Sequence, residues 1–283
     1  PPPPPPSSTS SLHPRLVSDW SSDVCSSDLS HSLLNEILVK LKPDIRGADL
    51  RYFYTRLGAN FYSIYTLFHL LYGQRDDFNA QAQRLVETMA RQYILRPGVY
   101  KQKDIEREQD HTWFLNQQWT GMALYSDGFA GDLKTLATKA GYFQDLGVNM
   151  VHVMPIMKCP AWHSDGGYAV SDFRQVDERM GTMEDIETLA DELGTRDILL
   201  TLDVVLNHTS DEHEWALRAK QGEEKYQDYY YVFPNREIPD MFEQTMPEIF
   251  PETAPGNFTW VEGMDKWVMT VFKHYQWDLN YNN

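Results

Sequence analysis

The sequence predicts an α/β fold preceded by an all-α segment, and three observations carry this. Between His31 and Asp110 apolar residues recur at helical spacing with no strand-like alternation. From Trp119 onward, short apolar runs alternate with amphipathic stretches in the order strand, helix, strand, helix, strand, the signature of β-α-β units. The third run, Ile198–Val205, is almost continuously apolar, as in a parallel strand covered on both faces. Periodicity leaves a doubly wound sheet and an eight-stranded barrel both open. No glycine-rich phosphate loop follows the first strand, which weakens a nucleotide-binding reading.

The elements follow in order. Residues 1–30 are rich in proline and serine without any period and read as disordered. Within them, Ser18–Leu29 resembles the in-frame translation of a DNA-sequencing adapter, so the expectation is an assembly artefact, and Cys25 then carries no information. Residues 31–112 read as a helical domain. Leu33, Leu34, Ile37, Leu38 and Leu41 form one stripe before a break at Pro43. Phe61, Ile64, Tyr65, Phe68 and Leu71 form a second before Gly73, and Leu85, Met89, Tyr93 and Ile94 a third before Pro97-Gly98. All three are expected to be core.

Residues 113–206 hold the strands. Met122–Tyr125 is the first; Gly131-Asp132 opens a helix with Leu133, Leu136, Ala140, Phe143 and Leu146 on one face, closed by Gly147. Asn149–Met154 is a buried strand stopped by Pro155. Thr182 and the acidic turn after it start a helix that ends at Gly194, and Ile198–Val205 follows. Residues 207–283 read as one long excursion, a length that is uncommon unless functional.

Composition bounds the partners. With 41 acidic and 25 basic side chains the formal charge is −16, which repels phosphate backbones and anionic lipid, so neither nucleic acid nor membrane is expected. No apolar run approaches membrane-spanning length. Aromatic residues make up 13% of the chain, which suits neutral, hydroxyl-rich ligands as well as core. The two cysteines, Cys25 and Cys159, supply no disulfide framework, and histidines and carboxylates lack metal-ligand spacing, so no metal or cofactor is expected. Pro1–Pro6 and the serines after them have neither the basic start nor the apolar stretch of a secretory signal.

Three clusters at strand ends carry chemistry, as functional residues of parallel barrels do. They are Asp203-Val204-Val205-Leu206-Asn207-His208; Lys158-Cys159-Pro160 with Ser164-Asp165-Gly166-Gly167-Tyr168; and Gln276-Trp277-Asp278-Leu279-Asn280. Paired glycines let backbone approach a ligand closely, and Tyr168 offers a ring face for a pyranose. The hexad and the Gln276–Asn280 segment resemble shared motifs of the α-amylase superfamily. Phe129–Leu133, Tyr142–Gly147, Ser164–Tyr168 and Asn207–Ser210 with Glu212–Trp215 resemble amylosucrases more closely.

That resemblance implies the first three strands of a (β/α)8 barrel, with 207–283 as the B-domain-like insertion after the third. It implies a retaining transfer of glucose from sucrose to an α-glucan acceptor, through an aspartate nucleophile and a glutamic acid. These, with a stabilising aspartate, are expected after later strands, so no catalytic residue is assigned here and the 283-residue polypeptide is expected to be inactive. Residues implied to bind substrate are Asp165, Tyr168, His208, Phe272 and Gln276 around the glucosyl ring, with Phe250 on the fructose side; Tyr168 is the stacking platform and His208 bonds an outer hydroxyl. Asp203, Asn207, Asp278 and Asn280 are implied to shape the site. Asp165 is implied to pair with a later arginine, so that its charge lacks that intended partner here. The sequence departs from the family at Ser126-Asp127-Gly128 and at Pro247, where some members carry an arginine near the acceptor path. A sucrose hydrolase and a non-catalytic sugar-binding or scaffold protein are the alternatives.

Overall fold

The computed structural model describes residues 31–283 except 38, 41–46, 111 and 116. The readings for residues 1–30, Leu38, Leu41 and Pro43 lie outside the described residues. The chain divides into two compact units, one running to His111 and one covering Thr112–Tyr281.

The first unit is helical: α1 (31–37), α2 (Gly47–Tyr72), α3 (Phe78–Leu95) and α4 (Gly98–Gln109). Its core is written as two rows at a spacing of four. Phe53, Leu57, Phe61 and Tyr65 on α2 and Phe78, Ala82, Val86 and Ala90 on α3 are all buried, in one cluster with Leu33, Leu34 and Ile37. The predicted stripes are broader than these rows. Leu71 is 65% exposed, Leu85 38% and Ile94 40%. Leu85 flanks the buried α3 row, and Ile94 continues its spacing at the exposed last turn of the helix, which corrects the assignment of all three to the core.

In the second unit β1 (Gly121–Leu124), β2 (Met150–Val153) and β5 (Leu199–Leu202) form a parallel sheet in the order β1-β2-β5. Between them run α5 (Ser126–Ala130), α6 (Leu133–Ala137), α7 (Ala140–Asp145), the short antiparallel pair β3 (Met157–Lys158) and β4 (Asp172–Val176), and α8 (Met183–Gly194). Leu133, Leu136, Phe143, Val151, Val153, Leu189 and Leu193 make one buried cluster, so helices cover one side of the sheet.

Two boundaries differ from the sequence reading, and one agrees. The helix expected from Gly131 to Gly147 is split into α6 and α7. Asp132 caps α6 through the Thr135 amide at 2.6 Å, but the Thr138 amide and hydroxyl both turn back to the Thr135 carbonyl, which ends the helix early and leaves Leu146 half exposed. α8 begins where expected, with Thr182 and Asp185 bonding reciprocally in a capping box. β5 ends at Leu202 and is a sheet edge among the described residues, not covered on both faces: Thr201 is exposed, and Val204 and Leu206 beyond it are each 63% exposed.

The remainder folds on its own core. β6 (His208–Ser210) pairs antiparallel with β10 (Gln276–Asp278), so the two ends of the long excursion meet, Asp278 opposite His208. Between them lie α9 (Glu214–Lys220), α10 (Glu224–Gln227), α11 (Glu237–Glu243) and a sheet β7-β9-β8 of Val232–Phe233, Lys266–Met269 and Phe258–Val261. Tyr230, Trp277, Val268, Ala216, Ala219 and Met264 fill its interior. No helix among the described residues is long and apolar enough to cross a membrane.

Candidate functional site

The loop joining β3 to β4 adopts a conformation that most residues cannot. Asp165, Gly166 and Gly167 all have positive φ, at 49°, 69° and 98°. A β-carbon on Gly167 would stand 2.7 Å from the Pro155 carbonyl oxygen, so glycine there is required by space as well as by torsion. The turn presents Asp165 and Tyr168 from one short segment, and the Ser164 carbonyl closes it by accepting from the Gly167 and Ala169 amides.

Tyr168 is held at both ends. Its hydroxyl donates to Asp203 at 2.9 Å, and its carbonyl accepts from His208 Nε2 at 3.1 Å. Asp203 stands just beyond β5 and takes a second bond, from His152 Nε2 on β2, at 2.8 Å. Burial first and Asp203 second push the Tyr168 hydroxyl up to about 12, so it remains a donor at any physiological pH.

On the other side the same network continues into the excursion. Asn207 Nδ2 donates to Asp278 at 2.8 Å and lies 3.2 Å from His208 Nδ1. A carbonyl only accepts and an amide NH2 only donates, so His208 is the neutral tautomer with its proton on Nε2. Burial lowers its pKa and favours that neutral form. Asp278 also accepts from the Val271 amide at 2.8 Å; its burial outweighs both bonds and raises its pKa from 3.8 to about 6. Gln276, fully buried on β10, donates to Asp165 at 3.1 Å, while its own Oε1 has no protein partner among the described residues.

Aromatic rings complete the arrangement. Phe272 lies 5.2 Å from the His208 ring and 6.4 Å from Phe250, whose face is covered by Lys273 Nζ at 3.8 Å. Asp165, Tyr168, Asp203, Asn207, His208, Phe250, Phe272, Gln276 and Asp278 are therefore linked by contacts running across four loops. Asn280 is not part of this set. It binds the Asp228 carbonyl through its side chain and the Tyr229 carbonyl through its amide, which anchors the chain after α10. Asp165 has a neutral amide partner in Gln276, and the His208 Nε2 proton goes to the Tyr168 carbonyl.

Sequence reasoning missed His152 and Tyr125. His152 is the one polar residue of β2, flanked by buried Val151 and Val153, so its alternation toward the opposite face was a usable signal. Tyr125 follows β1, and its hydroxyl would be 3.4 Å from a β-carbon on Gly166, a proximity no sequence pattern marks.

The ensemble offers ring faces, a carboxylate and buried amide and imidazole groups to a neutral polyhydroxylated ligand. Residues 75–283 match the family described as alpha amylase, catalytic domain. The chain belongs to that family. Among curated α-amylase-family relatives, it is 32% identical over 155 residues to the oligo-1,6-glucosidase of Bacillus cereus, covering 54% of this chain and 26% of that protein. It is 35% identical over 156 residues to the trehalose synthase of Pimelobacter sp. strain R48, covering 55% and 26%. The chain thus spans about a quarter of the length of these relatives. Among solved structures, the trehalulose synthase MutB of Pseudomonas mesoacidophila MX-45 matches at TM-score 0.50 and 28% identity, covering 59% of this chain and 30% of that one. A MutB mutant in complex with sucrose matches at TM-score 0.51 over the same shares. The three parallel strands are accordingly part of the (β/α)8 barrel of an α-amylase catalytic domain.

Proposed function

We propose that this chain is the sugar-holding front of a sucrose-using glucosyltransferase of the amylosucrase type, which passes glucose from sucrose to the end of an α-glucan. The observation that carries the reading is the double fixation of Tyr168, by Asp203 at its hydroxyl and by His208 at its carbonyl, beside the Asp165–Gln276 pair. A ring immobilised in this way is a preorganised face for a pyranose, and the polar groups beside it are of the kind that bond its hydroxyls. The sucrose complex of the MutB mutant supports sucrose as donor.

In this reading Tyr168 and Phe272 enclose the glucosyl ring, Asp165, His208 and Gln276 exchange their mutual bonds for bonds to its hydroxyls, and Phe250 borders the fructose side. Asp203, Asn207 and Asp278 keep the loops in place. The covalent step belongs to carboxylates that the family resemblance puts after the fourth and fifth barrel strands, with retention through a glucosyl-enzyme intermediate. No cofactor is needed for it.

The test is product analysis of the full-length protein given sucrose and a short maltooligosaccharide. Fructose release with lengthening of the linear glucan supports the proposal. Glucose and fructose in equal amounts would make the protein a sucrose hydrolase, isomeric disaccharides would make it an isomerase, and intact sucrose would overturn the reading.

A further inference from the structure

Three residues before Asp165, Trp162 is 94% exposed, the most exposed large apolar side chain among the described residues. Its loop is not loose. His163, the next residue, stacks face to face on Tyr275 with ring centroids 4.6 Å apart and planes 8° from parallel. Asp165 is bonded to Gln276, the neighbour of Tyr275, and the Ser164 carbonyl is bonded to the Ala169 amide. Two cross-loop contacts thus tie 163–165 to the start of β10, and the indole stands out from an anchored rim with no hydrogen-bond or ring partner among the described residues.

A three-residue span reaches at most about 11 Å, so Trp162 lies within the length of a short oligosaccharide from Asp165. Tyr168 is partly buried and bonded at both ends, whereas Trp162 is exposed. An indole is a broad apolar face with low conformational freedom, suited to the C–H face of a neutral hexose ring and indifferent to charge.

We propose that Trp162, braced by the His163–Tyr275 stack, is an acceptor subsite that holds a glucosyl ring of a neutral α-glucan as it approaches the pocket. This rests on reading the pocket as a glucosyl site. Trp162 contributes no group to bond breaking; it raises the residence of the acceptor chain next to the transferred unit.

The experiment uses the full-length enzyme and its Trp162→Ala and Trp162→Tyr variants, with maltotriose as acceptor and sucrose as donor. Trp162→Ala is expected to raise the acceptor KM about tenfold, equivalent to about 1.4 kcal/mol, and to increase the share of glucose released to water. Trp162→Tyr is expected to recover most of the acceptor affinity, because it restores a ring face. An acceptor KM for Trp162→Ala within twofold of the parent, or a lowered melting temperature without a change in that KM, overturns the proposal. Should the parent enzyme leave sucrose intact, the functional reading fails, and calorimetric titration with maltotriose judges the platform separately. Tenfold weaker binding to Trp162→Ala then supports it, and equal binding overturns it.

Discussion

At the scale of single residues, Tyr168 performs two separable tasks, presenting a ring and donating one hydrogen bond to Asp203. Tyr168→Phe in the full-length protein keeps the ring and is expected to lower kcat/KM for sucrose about fivefold, the worth of one such bond at about 1 kcal/mol. Tyr168→Ala removes the face too and should cost at least a hundredfold, read in the same initial-rate assay. Gly167→Ala tests backbone rather than side chain. With φ at 98° and the Pro155 carbonyl 2.7 Å from the new methyl, the turn cannot persist, so substrate affinity should collapse with a lowered melting temperature. His152 bonds Asp203, and a variant there is expected to follow Tyr168→Phe in direction. Cys159 offers no comparable chemistry: burial, then Asp177, push its thiol up to about 11.

At the scale of elements, the β6–β10 pair depends on a carboxyl that the fold partly discharges. Asp278 has a pKa near 6 against 3.8 for an ordinary aspartate. A group whose pKa is raised on folding contributes stability that is complete below pH 4 and lost as pH rises through 6. The difference corresponds to roughly 3 kcal/mol at most. Urea midpoints of the excursion unit should therefore fall between pH 4 and pH 7, over and above the opposite trend from Asp177, whose pKa of about 2 matters only in stronger acid. Asp278→Asn sacrifices one of the two accepted bonds, about 1 kcal/mol, yet should flatten the slope between pH 4 and 6. At α8, Thr182→Ala removes the capping box and should cost about 1 kcal/mol, measured as a shift in the melting temperature.

At the scale of the whole molecule, the sheet β1-β2-β5 leaves the outer edge of β5 without a strand partner among the described residues, next to exposed Val204 and Leu206. An open edge beside apolar side chains is a template for association. The 283-residue polypeptide is expected to show concentration-dependent light scattering that Val204→Lys and Leu206→Lys reduce, and high salt should increase it by screening the net charge of −16.

Much of this arrangement was legible in the amino-acid order. Alternation of apolar runs marked all three parallel strands within three residues, the Thr182 cap marked α8, and the Asp203–His208 hexad was read as the end of the third strand, where Asp203 stands just beyond β5. These are local signals, set by side-chain period and turn chemistry within a few residues. Tertiary structure alone decided that β5 would be an edge and that Asn280 would bond the Asp228 carbonyl. It also decided the pairing of His152 with Asp203 and of Asp165 with Gln276, across 51 and 111 residues. Contacts between residues so far apart are settled by how strands stack and loops converge, and no period in the chain encodes them.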